Sequence, residues 1–317
     1  MSGSSSFRGG PLVIVGDVVT DVVCRTAGSW RAGTDTPASV QIRPGGSAAN
    51  TAAWAAWAVQ EQSFDRPVQL IARVGGDDAS WHREALSAAG VEPHLIIDDT
   101  AVTTRLVALI DEQSGERTML TDRGAGLGLE PDELREHMFT GAGWVHLSGY
   151  LLFADGPRRA FRQIVEWCTS AGVPWSVDPA SVGFLADLGR ETATSLLRGA
   201  ALAFPNADEA LFLAGVDSNT PAECSVDAAA VALGGLFATV VVTCGADGAI
   251  VASNGSVVGR IEAESNVVVV DAVGAGDAFA GAWLAHWLDA EDIERCLNAA
   301  SRTAAVALRL SGGRPET

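Results

Sequence analysis

Short apolar runs alternate with longer, helix-like segments through most of this chain, beginning with the run at 12–16. Runs of this length predict buried strands, and the segments between them are long enough to form helices. Strands separated by helices predict an α/β fold, with a mostly parallel central sheet covered by helices on both faces. The predicted strands are 12–16, 68–74, 144–147, 174–177, 202–204, 239–243 and 266–270, and the predicted helices are 47–59, 79–89, 157–171, a segment from about 208, 227–237, 277–288 and 292–310.

Two stretches interrupt this alternation of strands and helices. Residues 105–111 and 116–121 flank the turn-like Gln113-Ser114-Gly115 and predict a hairpin. With other strand-like segments, this hairpin predicts a small β-sheet lid apart from the main sheet. Its strands are drawn from about 18–25, 38–43 and 95–122. A second hairpin is predicted around Asn254-Gly255, a dipeptide strongly favoured in two-residue turns.

The sequence predicts a short tail followed by one domain. Residues 1–10 are rich in Ser and Gly and lack an apolar core, so they predict a disordered tail rather than a secretion signal. The remaining residues, 11–317, show neither repeats nor a Pro-rich linker, and predict one domain with its lid.

Charge and composition exclude several kinds of function. The chain has 21 basic and 39 acidic residues and a net charge of −18, which argues against a nucleic-acid-binding surface. Every basic residue is Arg, so neither a lysine Schiff base nor a P-loop lysine can form. No run approaches the ~20 apolar residues of a membrane helix. The five cysteines are scattered and form no C-x-x-C pair, which is typical of a reduced, cytoplasmic protein without a zinc site.

The segment NVVVVDAVGAGDAFAG at 266–281 has the strongest chemical signal. An apolar run leads into Gly274-Ala275-Gly276, and a helix is predicted from Asp277. Free N–H groups and the helix dipole at such a start attract an anion, including a phosphoryl group in transfer. A carboxylate at this position can accept a proton from an attacking hydroxyl. The alternative role for Asp277 is an ordinary helix cap.

Two further segments contain candidate binding residues. In RPGGSAANTA at 43–52, Gly45 and Gly46 permit close approach of the backbone, and Asn50 can hydrogen-bond a polar ligand. The alternative there is a helix start capped by Ser47. Asp21 follows the first strand, where ligands of open α/β sheets bind, and its carboxylate can accept from two hydroxyls. The alternative is that Asp21 is an acidic residue of a solvent-exposed loop and binds no ligand.

These segments resemble the signatures of one family. DAVGAGDAFAG at 271–281 is similar to the C-terminal signature of the PfkB/ribokinase carbohydrate kinases, and PGGSAANTA at 44–52 resembles their N-terminal signature. Further stretches at 73–77, 206–209 and 242–248 resemble other motifs of the family in the same order. The resemblance covers the chain from 12 to 313. It implies a ribokinase-like three-layer sandwich that transfers the γ-phosphoryl of ATP to a hydroxyl of a sugar or sugar acid.

The resemblance also implies roles for individual residues. Asp277 is expected to be the general base, and the amides of Gly274, Ala275 and Gly276 the anion hole. The remaining roles are sugar binding by Asp21, Gly45, Gly46 and Asn50; placement of Mg²⁺ by Asn206 and Glu209, the latter through water; nucleotide binding by Thr243, Gly245, Gly248 and Ser301; and a monovalent-cation site, for K⁺, at Asp271 and Val273. Some family members form a homodimer through the lid, which is the partner expected here beside a small sugar-like molecule.

The chain departs from the ribokinase pattern at four places. Val19 and Ser47 stand where ribokinases usually have Asn and Lys, and a common Glu is missing near 148–150. Ser301 replaces an adenine-side Asn. The first three differences count against ribose as substrate, and the fourth against any inference about the nucleotide base.

Arg105 and Arg123 at the two ends of the predicted hairpin can bind a substrate carboxylate or phosphate. The alternative is a surface ion pair, for example between Arg123 and Asp122. Three other functions remain at this point: a nucleoside kinase of the same family, a catalytically silent kinase-like binding protein, and a NAD-dependent oxidoreductase. The lack of a dinucleotide fingerprint near Gly16 disfavours the last, and the retained Asp277 and Glu209 disfavour the second.

Overall fold

The structure is a computed structural model that describes residues 9–114, 116–216 and 222–316. Most of the predicted disordered tail, residues 1–8, lies outside this range. The described residues contain thirteen strands and ten α-helices. The strands are β1 (Leu12–Val15), β2 (Val19–Thr26), β3 (Ser39–Gly45), β4 (Val68–Gly75), β5 (Val91–Asp98), β6 (Thr104–Asp111), β7 (Arg117–Asp122), β8 (Trp144–Ser148), β9 (Trp175–Asp178), β10 (Leu202–Ala203), β11 (Thr239–Thr243), β12 (Ala249–Ser253) and β13 (Ser256–Ile261). The helices are α1 (Ser47–Gln62), α2 (Ala79–Ala88), α3 (His137–Thr140), α4 (Asp155–Ala171), α5 (Val182–Leu188), α6 (Arg190–Leu197), α7 (Ala207–Ala214), α8 (Ala222–Leu233), α9 (Ala275–Ala290) and α10 (Ile293–Ala307).

Nine strands form the main sheet, in the order β13-β12-β11-β10-β9-β8-β1-β4-β5. All neighbours from β11 to β5 are parallel, and the β12–β13 hairpin adds two antiparallel strands at one edge. This confirms the predicted mostly parallel sheet and the hairpin at Asn254-Gly255. The carboxyl ends of the parallel strands therefore meet along one edge, where ligands of such sheets bind.

Helices cover both faces of the main sheet, so its central strands are buried on both sides. In β1, Leu12 and Ile14 pack into a core with α1, α9 and α10, whereas Val13 and Val15 pack on the other face with α4 to α8. This explains why β1 is a continuous apolar run rather than an alternating one. The three layers confirm the predicted fold class. No helix in the described ranges is long and apolar enough to cross a membrane.

The lid is a separate four-stranded sheet in the order β3-β2-β6-β7. Its side chains alternate between two faces, as they must in a strand. The inner face lines the cavity described below, and the outer face points away from it. The lid begins later than the predicted segment 95–122, because residues up to Asp98 pair with β4 in the main sheet.

The strand predicted at 266–270 is wrong. Its β-branched residues favour a strand locally, but β13 forms the edge of the main sheet and, in the described ranges, no strand of either sheet pairs with this segment. The segment runs outside both sheets instead, and Val268 is 77% exposed. It is tied to the domain where the Val270 N–H donates to the Leu308 carbonyl over 2.8 Å.

Candidate active site

A cavity of about 660 Å³ lies between the lid and the carboxyl ends of the main-sheet strands. It brings together side chains that are far apart in the sequence. Among its lining residues are the predicted Asp21, Gly46, Asn50, Arg123, Asn206, Glu209, Thr243, Asp271, Val273, Gly274, Gly276 and Asp277, and the unpredicted Asp17, Tyr150, Asp178 and Phe184.

The glycine-rich turn at the start of α9 forms the floor of the cavity. Gly274 has φ = 80°, and a Cβ there would lie 2.5 Å from the Cα of Gly313. Gly276 has open space where a Cβ would stand. With Ala275 between them, these residues begin α9, so the amides of its first turn have no carbonyl of a preceding turn to bind. This is the arrangement of backbone donors that binds an anion.

Asp277 lies beside this turn with both carboxylate oxygens held. The Ser47 hydroxyl donates to Oδ1 over 2.7 Å, and the Asn50 amide donates to Oδ2 over 2.9 Å. Burial raises the pKa of Asp277 to about 7, against the lowering effect of these two hydrogen bonds. A carboxylate with a pKa near neutrality is suited to accept a proton. The side chain does not cap its own helix.

Ser47 therefore binds Asp277 through its hydroxyl and does not act as the helix cap considered above. The cap of α1 comes from Asp17, whose carboxylate accepts the backbone N–H groups of Ser47 at 2.8 Å and Ala48 at 3.3 Å. Asp17 also accepts from the Ser148 hydroxyl over 3.1 Å. It was not among the predicted site residues, although its position directly after a buried strand is a usable signal.

Asp21 and Gly46 line the cavity, whereas Gly45 packs against the Asp21 side chain without lining it. A Cβ on Gly45 would collide with the Asp21 carboxylate, and one on Gly46 would lie 2.6 Å from the Asp17 carbonyl oxygen. Gly46 also has φ = 102°, which favours glycine. Burial raises the pKa of Asp21 to about 7, and the charge of Arg314 opposes that shift. The two glycines let acidic side chains and backbone approach one another closely.

Asn206 and Glu209 are locked together at the start of α7. The Asn206 Oδ1 accepts from the Glu209 N–H over 3.0 Å, and the Glu209 carboxylate accepts from the backbone N–H and the side-chain amide of Asn206. Asp178, at the end of β9, faces the same part of the cavity. Burial and the nearby Glu209 raise the pKa of Asp178 to about 8.

These buried carboxylates fit a hard cation, because the charge that burial disfavours would be balanced by it. No group of three or more His, Cys, Asp or Glu in the described ranges forms a complete metal cage. Mg²⁺ typically binds through one or two carboxylates, with waters and substrate phosphates completing its shell.

Of the residues predicted to bind the nucleotide, only some line the cavity. Thr243 lines the cavity at the end of β11. Gly245 and Gly248 form the following tight turn, closed by the Cys244 N–H donating to the Gly248 carbonyl over 2.8 Å. Ser301 is buried in α10 and is not part of the cavity wall.

Two lid arginines lie beside Asp271, the residue predicted to bind a monovalent cation. Arg25 Nη2 is 3.8 Å from one carboxylate oxygen, and Arg117 Nη1 is 3.7 Å from the other. The Val273 N–H donates to the same carboxylate over 3.1 Å. A positive charge is thus already supplied where K⁺ was expected, and this set of groups does not fit an additional cation.

Arg123 and Arg105 have different surroundings. The Arg123 guanidinium lies over the rings of Tyr150 and Phe184, with its carbon 5.0 and 4.7 Å from their centroids, inside the cavity. Arg105 is placed outside the cavity and pairs with Asp77. The alternation of side chains along β6 explains this difference, because Thr104 and Leu106 take the inward positions.

A family model and curated relatives match most of this chain. The model of the pfkB family of carbohydrate kinases matches residues 11–317. The ATP-dependent ribose-1-phosphate kinase of Halopiger xanaduensis is 31% identical over 272 residues, 85% of this chain and 82% of that protein. The 2-dehydro-3-deoxygalactonokinase of Haloferax volcanii is 31% identical over 242 residues, 72% of this chain and 71% of that one.

Solved structures show the same fold. The adenosine kinase of Sinorhizobium meliloti superposes with a TM-score of 0.81 at 22% identity, covering 98% of this chain and 97% of that one. The ribokinase of Arabidopsis thaliana complexed with ribose and ATP gives 0.78 at 23% identity, over 96% and 94%. With the family match over nearly the whole chain, these findings show that the protein belongs to the pfkB family of carbohydrate kinases.

Proposed function

We propose that the protein transfers the γ-phosphoryl group of ATP to a hydroxyl of an anionic sugar, either a sugar phosphate or a sugar acid. The observation behind the transfer is the position of Asp277. Its carboxylate, held by Ser47 and Asn50, lies at the mouth of the glycine-rich turn.

In the proposed reaction, Asp277 accepts the proton of the acceptor hydroxyl as its oxygen attacks the γ-phosphorus. The bond from that phosphorus to the β,γ-bridging oxygen breaks, and ADP leaves. The amides of Gly274, Ala275 and Gly276 donate to the phosphoryl oxygens, where negative charge is concentrated. Asp21, Gly45, Gly46 and Asn50 hold the sugar so that the hydroxyl faces Asp277.

The nucleotide is proposed to lie along the ends of β11 and α9, with Thr243, Gly245 and Gly248 beside it and Ser301 behind that wall. Mg²⁺, when bound, neutralises charge on the nucleotide phosphates. Glu209, through water, and Asp178 are the residues proposed to hold it. Asn206 fixes the rotamer of Glu209 through their reciprocal hydrogen bonds.

Arg123 is the residue proposed to bind the phosphate or carboxylate group of the acceptor. Its guanidinium contacts two aromatic rings and lines the cavity, so these contacts orient it toward a bound acceptor. A planar guanidinium suits the oxygens of a phosphate or carboxylate. One relative is named a ribose-1-phosphate kinase, which supports a phosphorylated acceptor.

The test is ADP release with ATP and Mg²⁺ across sugars, sugar phosphates, sugar acids and nucleosides, beside the Asp277→Asn variant. Turnover on sugar phosphates or sugar acids, absent in the variant, is the expected result. Turnover only on nucleosides would favour the nucleoside-kinase alternative. Calorimetric binding of an acceptor without turnover in any reaction would favour a silent binding protein.

Activity is expected to be independent of K⁺, because guanidinium groups at Asp271 carry a permanent positive charge. Replacing KCl by choline chloride at equal ionic strength should leave both the initial rate and the melting temperature unchanged. The Arg25→Gln/Arg117→Gln double variant should gain stimulation by K⁺. Strong K⁺ activation of the unaltered protein would contradict this expectation and restore the cation site at Asp271 and Val273.

The outer face of the lid is proposed to join two copies of the chain. Val40 and Ile42 alternate with the cavity-lining Arg43, and Ile42 and Leu120 are 63% and 55% exposed. Exposed apolar sheet faces of this kind favour association. Ile42→Glu should yield a monomer by light scattering where the unaltered protein gives a dimer. Val258→Glu, at a site 47% exposed on β13, serves as the control. A monomer in every case would reject the lid interface.

A further inference from the structure

The segment after α10 returns to the active site and packs beneath it. The Trp54 indole donates to the Gly313 carbonyl over 2.9 Å, and the Arg43 guanidinium donates to the Ser311 carbonyl. A Cβ on Gly313 would collide with the amide of Asn50. The backbone at 311–314 is therefore fixed against α1 and the start of α9.

This packing places the side chain of Arg314 beside residues of the proposed sugar site. Its Nη2 donates to the Gly45 carbonyl over 2.8 Å, and its Nε donates to Asn50 Oδ1 over 3.3 Å. Its Nη1 is buried and has no hydrogen-bond partner within the described ranges. Burial lowers the pKa of Arg314 to about 10, and Asp21, Asp17 and Asp277 oppose that shift. The guanidinium is thus a buried positive charge among the acids of the site.

The contact with Arg314 favours the orientation of the Asn50 amide in which its nitrogen faces Asp277. A guanidinium can only donate hydrogen bonds, so it requires the oxygen of the amide. With Oδ1 turned toward Arg314, Nδ2 is left to donate to Asp277 Oδ2. A donated hydrogen bond stabilises a carboxylate in its charged form, which is the form that can accept a proton.

We propose that Arg314 is a positioning residue, which holds Asn50 in the orientation that keeps Asp277 ionised and anchors the Gly45 carbonyl of the sugar site. The inference rests on the proposed function, in which Asp277 is the base. Without Arg314, the Asn50 amide can rotate and place its oxygen against Asp277. That arrangement favours the protonated carboxyl and removes the base. The charged and titratable groups around Asp277 are Asp17, Asp21, Asp178, Tyr150 and Arg314.

The test compares Arg314→Gln with Arg309→Gln, an exposed arginine of the same segment. Arg314→Gln should lower kcat/KM for the acceptor by about tenfold to a hundredfold, the range for losing a hydrogen bond to a charged group. The acidic limb of its pH profile should move to higher pH, and the KM for ATP should stay unchanged. Arg309→Gln should match the unaltered protein. Arg314→Lys, which keeps the charge but not both contacts, should fall between them.

A measurement without turnover separates this inference from the proposed function. Carbon-13 NMR of aspartate carboxyl groups, with Asp277 assigned from Asp277→Asn, should show a higher pKa of Asp277 in Arg314→Gln. An unchanged titration would overturn the positioning role even if the protein is an active kinase. If Arg314→Gln does not fold, the same titration in Arg314→Lys decides. Combining Arg314→Gln with Asn50→Ala should add no further change in the pKa, because the effect passes through Asn50.

Discussion

Asp277→Asn is expected to lower kcat by about a thousandfold, within the range that general bases contribute. The amide cannot accept the proton of the acceptor hydroxyl, whereas the glycine-rich turn beside it is unaltered. Nucleotide affinity, measured by calorimetry, should therefore remain close to that of the unaltered protein. Near-normal turnover would remove Asp277 as the base. Loss of ATP binding would indicate that the substitution had disturbed the turn itself.

The same variant should be more stable than the unaltered protein at pH 8. The pKa of Asp277 in the folded protein is raised to about 7, so the folded state holds its proton more tightly than the unfolded chain does. Stability from this group is present below the ordinary carboxyl pKa and is lost as the pH rises toward 7. The loss amounts to at most about 4 kcal/mol. Thermal melts at pH 5 and pH 8 should show this difference shrinking at the lower pH. Asp65→Asn, at an exposed loop position, should show no such pattern.

Arg123→Ala should raise the KM for the anionic acceptor by about tenfold to a hundredfold, the range for a lost charge-assisted hydrogen bond. The KM for ATP should not change, because Arg123 lies on the lid side of the cavity, next to Tyr150. The matched control is Arg105→Ala, since Arg105 lies on the same lid but outside the cavity. Steady-state kinetics with the acceptor varied at saturating ATP would measure both.

Arg123→Lys adds a second test of the same assignment. A lysine keeps the positive charge but loses the planar fork and its contacts with the rings of Tyr150 and Phe184, so it should restore only part of the affinity. If the KM for the acceptor is unchanged in Arg123→Ala, the arginine only supports the two aromatic rings. The anionic acceptor would then have no assigned partner on the lid.

Much of the fold was predictable because its signals are local. The alternation of apolar runs and helical segments gave the main sheet, and the hairpin signals gave the lid. The strand predicted at 266–270 is absent, since four consecutive valines cannot show whether a partner strand lies beside them. Strand formation there depends on a partner, and that information is tertiary.

The residues of the candidate site also differ in whether they leave a local signal in the sequence. Gly45, Gly46 and Gly274 stand out in the sequence, because the close approaches they permit leave a local pattern of small residues. Asp178 and Arg314 left no such pattern, since each comes from a different part of the chain and joins the site only through packing. Arg105 and Arg123 were identified from the sequence, but which of them reaches the cavity was not. Counting inward and outward positions along β6 and β7 could have separated Arg105 from Arg123.

The alternation of the lid also limits how its sequence can change. A single inserted or deleted residue within β2 or β7 would exchange the faces of the strand beyond it. An insertion near the start of β2 would turn Arg25 outward and Val22 inward, and one near the start of β7 would turn Thr121 outward and Leu120 toward the acidic residues of the cavity. Point substitutions on one face, by contrast, leave the other face in place. Substrate preference and surface properties of this lid can therefore vary separately, provided that the length of each strand is kept or changed by two residues.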